Sequence, residues 1–429
     1  MKNTLSQFLS MEEMDEKVVD LQEINNSLES YQKESDFITR EIDSSMEAIS
    51  SLETLITSLE SLKENDYISK GSWELYKVYK RDVYRKNHLS MTNASLESFE
   101  EGSIHTLVQV ALEEDNNNKR NIFQKIWDFL VKMFNNFIGF IKNIFIVQDA
   151  IKKEANELKR KVSGMADANF QGKVPENMGR SLASNIIIND SLNVAENFRK
   201  FPEILKKTHL NEISKLVLGV LNAFKNDVQN AVRGSDADTT SVEAKKLSDA
   251  LMNLYPLDNN LIKSFQGTIH GVYEKVYASE KMPGNTQLVI GYKTAEEGSE
   301  TQMPDIYVYN PHVFGSLKDD TVVKVDNKKD AMDILDNIIK TVDVWENISK
   351  DSEKVTKEAA NIANQLKPIT SKLGDVISDV NKIVKEYQDI IIKFIKINEN
   401  INKVFVDANK AAIKLIKYAI AKPEQTQSA

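Results

Sequence analysis

The chain has 429 residues, of which 41% are hydrophobic and 28% charged, with a formal net charge of −9. This size allows two or three domains with a sizeable core, and the composition excludes a wholly disordered chain. The acidic balance disfavours coating DNA along the whole length. The lack of cysteine removes disulfides, cysteine zinc sites and thiol catalysis, and fits a reducing compartment.

Only 15 Gly and 8 Pro interrupt the chain, so the expected class is mainly α: a long-helix bundle or coiled-coil protein. The opening MKNTLSQFLSMEEMDEK has one early Lys and no apolar core of useful length, and no signal peptide is expected. Residues 1–66 form an acidic segment rich in Ser, Glu and Leu. Within it Ile38, Ile42, Met46, Ile49, Leu52, Leu55, Ile56, Leu59 and Leu62 recur at steps of mostly three or four, near the coiled-coil period. An oligomerising helix and a long helix of a bundle fit that spacing equally.

Residues 67–120 read as a connector. Within Lys70–His88, Trp73, Tyr76, Tyr79 and Tyr84 interleave with Lys77, Lys80, Arg81, Arg85 and Lys86. Aromatics among cations can stack bases and hold phosphates, which makes those five cations candidate nucleic-acid contacts. Tyr76, Tyr79 and Val83 also fit one helical face with the basic residues as its wet side. Met91–Arg120 is polar, with a short helix expected between Ile104 and Leu112, and is expected to be exposed, mobile and open to proteases. Triplets of a small residue, any residue and Glu recur through the first quarter. Ser95-Leu96-Glu97 and Ala111-Leu112-Glu113 fall in this connector, outside the heptad-like run.

Residues 121–285 form a helical domain that opens on Asn121–Val147, NIFQKIWDFLVKMFNNFIGFIKNIFIV. Its polar or small residues, among them Asp128, Lys132, Gly139 and Lys142, make one narrow strip; Ile126, Trp127, Phe134, Phe137 and Phe140 belong to the wide apolar face. Such a helix needs a core, a partner or a lipid surface. The three charges disfavour a bilayer span. Further helices are expected through residue 232, over SVEAKKLSDALMNLY and over Leu261–Tyr277, with a loop at Gly234–Thr240.

Over 286–326, the runs TQLVIGYK, PDIYVYNP and DTVVKVDN are β-branched and aromatic, and they predict a small antiparallel β-hairpin insertion. Residues 327–421 return to long helices, and 422–429 form a loose tail. No phosphate-binding loop, nucleophile elbow or His-Glu-x-x-His helix is present. His88, His105, His209, His270 and His312 are scattered. No enzyme, metal or cofactor is therefore expected.

An acidic Ser-Leu-Glu-rich leader, a processing triplet and then a Trp/Phe-rich amphipathic helix occur in that order over residues 1–150. This order resembles the internal head proteins of large-genome tailed phages. The resemblance implies a non-enzymatic virion protein made in the host cytoplasm and held in the capsid interior. It implies a leader that directs packing into the procapsid and a maturation protease that cuts after Glu97 or Glu113. The implied partners are that protease, capsid or scaffold proteins, and packaged DNA; self-association is compatible. The alternative reading is a helical membrane-active protein, pore-forming or ejected onto the host envelope, that uses residues 121–147.

Overall fold

Helix α3 (Ile104–Gly164) is the axis of the molecule. At 1.5 Å per residue it is about 90 Å long. The computed structural model describes residues 21–64, 70–89, 104–232, 239–265, 273–293, 304–310, 322–370 and 377–421. Helix α1 (Leu21–Glu64) lies along one side of α3 and α9 (Lys328–Thr370) along the other, with α10 (Ile377–Ile420) closing the group. The shorter α4 (Glu176–Ile186), α5 (Val194–Lys206), α6 (Leu210–Val232) and α7 (Thr239–Leu254) pack outside α9 and α10 or on one another. Short polar side chains start several of these helices. Asn193 accepts from the Glu196 N–H at 3.0 Å, and Asn327 accepts from the Asp330 N–H at 2.9 Å.

The narrow polar strip of α3 is divided between its neighbours. Lys132 pairs with Glu34 of α1 at 3.1 Å, while Asp128 pairs with Lys367 of α9 and Lys152 with Asp343 at 2.6 Å. The apolar remainder of α3 is thus free to face inward on both sides. Inside, polar rungs set the register between helices. Trp345 donates to Asn402 at 2.5 Å, Ser352 to Asn398 at 2.6 Å and Gln148 to Ser349 at 3.1 Å. Each is buried, so a slip along the axis leaves unpaired polar groups in the core.

A three-stranded antiparallel sheet of β1 (Tyr273–Ala278), β2 (Gln287–Lys293) and β3 (Asp305–Tyr309) interrupts the helices, in the order β1-β2-β3. Tyr277 faces Ile290, and Val289 faces Tyr307. The molecule is therefore mainly α with a small β insertion. The insertion starts earlier than the sequence suggests. Helix α8 (Asn259–Phe265) is short, and Tyr273–Ala278, expected as helix, is a strand that buries Val276 and Ala278 against Leu261, Phe265 and Val289. Of the run DTVVKVDN, residues 322–327 are described, and there Lys324 makes an isolated parallel bridge to Asn193 and does not join the sheet. Val323 and Val325 are buried, and the Val323 N–H reaches the Gly179 carbonyl at 3.4 Å, so this run packs against α4. Gly179 is required there, because a Cβ would sit 2.5 Å from the Val323 oxygen.

Buried side chains of the acidic segment and of the later helices share one core. One continuous cluster of buried side chains runs from Leu28 to Ala419 and includes Ile38, Ile42, Ile49, Leu52, Leu55 and Leu59 of α1. Residues 104–120, expected as mostly open connector, are the first turns of α3. That stretch holds neither Gly nor Pro, and Glu114, Asp115, Asn118 and Lys119 within it have partners on α1 or α2.

Candidate functional site

Helix α2 (Lys70–Lys86) is held against α3. Trp73, Tyr76, Lys77, Lys80, Val83 and Tyr84 are buried, at steps of three and four along one helical face. Lys80 is fully buried, and its ammonium lies 2.8 Å from both Glu114 and Asp115 of α3. It also sits 4.9 Å from the centre of the Tyr84 ring. Tyr76 donates to the Asp115 carboxylate at 2.8 Å, and Tyr84 donates to its other oxygen. Asn118 donates to the Tyr84 oxygen at 3.0 Å. Burial first, and then the Asp115 charge, holds both phenols far above their usual pKa. The tyrosines therefore remain donors.

One cation faces two carboxylates here, and two phenol hydrogen bonds offset the excess negative charge. A buried charge is tolerated only when it is paired in this way. One helical turn further on, Lys119 of α3 pairs with Glu53 of α1 at 2.8 Å. The polar run EEDNNNK at 113–119 reads as loop in sequence. In the fold it is the half of an interface whose other half lies on α1 and α2.

Two of the five candidate phosphate-binding cations are therefore not available at the surface. Lys80 is spent on Glu114 and Asp115, and Lys77, only 5% exposed, pairs with Glu74 at 2.7 Å. Arg81, Arg85 and Lys86 are exposed, with Arg85 paired to Asp82. Beside them Leu75, Val78 and Tyr79 also face solvent. A second basic region lines an open cavity of about 580 Å³ with Arg199, Lys200, Lys207 and Lys281. Three of these already face acids: Asp333, Glu196 and Glu280 respectively.

Ile126, Trp127, Phe134, Phe137 and Phe140 all sit in the core, at most 1% exposed. Trp127 packs on Phe224 of α6, and Phe137 on Phe140 and Phe394 of α10. By length and composition α3 could cross a membrane, but the partners of these five side chains are the chain's own helices. Glu97 lies outside the described residues, between α2 and α3. Glu113 is exposed but falls inside α3, accepting from Gln109 at 3.2 Å, with Ala111, Leu112, Glu114 and Asp115 buried around it. Among the described residues, no three acidic or His side chains are grouped to hold a metal ion.

Long packed helices tied by buried polar seams define a helical structural protein. The chain belongs to the phiKZ-like phage internal head proteins, whose family model matches residues 9–421. It is made in the host cell and resides inside the phage capsid, in association with it. The matched span takes in most of the acidic front segment together with the helices and sheet after it. No curated protein and no solved structure matches the chain.

Proposed function

We propose that this capsid-interior structural protein is made as a precursor, packed through its acidic front segment, and cut by the maturation protease after Glu97. A protease needs opened backbone, so a site inside a packed helix must first unfold locally. The observation that carries the choice is the position of the two triplets. Ala111-Leu112-Glu113 lies within α3, beside the buried Lys80 cluster. Ser95-Leu96-Glu97 lies in the segment that joins α2 to α3. Cutting after Glu97 spares every helix described here, whereas cutting after Glu113 severs α3 from its first turns.

The capsid interior also holds DNA. Arg81, Arg85 and Lys86 on the outer face of α2 are the cations of the basic-aromatic segment that remain open to phosphate. No observation favours catalysis, and the membrane-active alternative requires α3 to leave its own core. The test is the N-terminus of this protein taken from mature particles. A new terminus at Ser98 supports the reading, one at Glu114 moves the cut into α3, and an uncut chain removes the processing step.

A further inference from the structure

The front of the chain is bound by more than its covalent link. Between residues 21–89 and the rest lie the buried apolar row of α1, the Lys80 cluster and three further ion pairs: Glu34–Lys132 at 3.1 Å, Glu53–Lys119 at 2.8 Å and Asp36–Lys396 at 3.5 Å. Tyr31 of α1 rests on Gly139 of α3, where any Cβ would come within 3.1 Å of its ring. Severing one peptide bond between 90 and 103 removes none of these contacts.

We propose that the arm formed by α1 and α2 stays docked after that cut, so that the processed protein is a two-chain complex latched by Lys80, Glu114 and Asp115. This rests on the processing reading above. It also gives the cut a consequence. Four further small-x-Glu triplets, ending at Glu29, Glu47, Glu53 and Glu60, lie within α1. Leu28, Leu52 and Leu59 of those triplets are buried against the rest of the molecule. A docked arm keeps them helical and out of a protease's reach; an arm that has let go exposes them together. The latch thus makes processing sequential: one cut first, and fragmentation of the arm only after it undocks.

The test uses the full chain with the recognition sequence of an unrelated site-specific protease placed in residues 92–98. After cutting, both pieces should co-elute at about 1 µM on gel filtration, which requires a dissociation constant below that concentration. Separate elution overturns the proposal. Lys80→Met leaves two buried carboxylates without their cation and should raise the dissociation constant by about 100-fold or more. Tyr76→Phe with Tyr84→Phe keeps the packing, removes two hydrogen bonds to Asp115, and should raise it by about tenfold. Unchanged affinity in the tyrosine pair overturns the latch role even where Lys80→Met does not fold. Because the cut is made by a foreign enzyme, the outcome is independent of the phage protease. An uncut chain in particles refutes the processing step alone.

Discussion

Replacing Lys80 by Met in the uncut chain probes the buried cluster most sharply. Met has similar bulk and no charge, so the change removes one cation from two carboxylates, of which Asp115 is fully buried and Glu114 nearly so. Breaking a buried pair by deleting one partner costs about 3–5 kcal/mol, because the other charge is left uncompensated. Urea unfolding of the variant beside the parent chain reads the loss directly. Adding Glu114→Gln and Asp115→Asn to Lys80→Met should recover at least half of the loss, since the unpaired charges are then gone. A deficit below about 1 kcal/mol, the range of an exposed pair, would refute the argument.

Other outcomes follow from the same packing. Glu399 of α10 is buried beside Ser35 and Asp36 of α1, and burial, then Asp36, pushes its carboxyl up to about 8 against the pull of Lys396. Its contribution is therefore complete below the unfolded pKa and lost as pH rises toward 8, so Glu399→Gln should stabilise the chain at pH 8 by an amount of order a few kcal/mol and flatten the slope of stability between pH 5 and 8. Gly139→Ala sets a helix-propensity gain of about 1 kcal/mol against the shift it forces on Tyr31 and should be nearly neutral in thermal unfolding, whereas Gly139→Leu should cost about 1–3 kcal/mol. Trp127→Asp with Phe134→Asp should yield insoluble or unfolded chain, read by circular dichroism; a folded, soluble product would mean that these residues face outward.

The long helices are legible because their spacing is regular. Ile38 through Leu59 repeat at helical steps, and the structure buries that row. The aromatic face of 121–147 is equally legible as a surface needing cover, but its cover is not, since Phe224 and Phe394 come from segments far away in sequence. The same limit explains the misread run at 113–119. Glu114 and Asp115 look like solvated residues until Lys80, on another helix, is placed against them. Acidity likewise makes α1 look separable, because charge reports the side that faces water while the docked side is an apolar stripe. The strand Tyr273–Ala278 was hidden by its short length, and its alternation becomes decisive only when β2 pairs with it.

The central claim is that the acidic front of the chain is part of the core. Native-state hydrogen exchange on the uncut protein tests it without mutation or protease. Amides between Ile38 and Leu59 should be protected to within about tenfold of those between Phe134 and Ile151 in α3, as for segments that open together. Protection in α1 about a thousandfold weaker than in α3, with α3 itself unchanged, would show an appendage that opens by itself and would contradict the account.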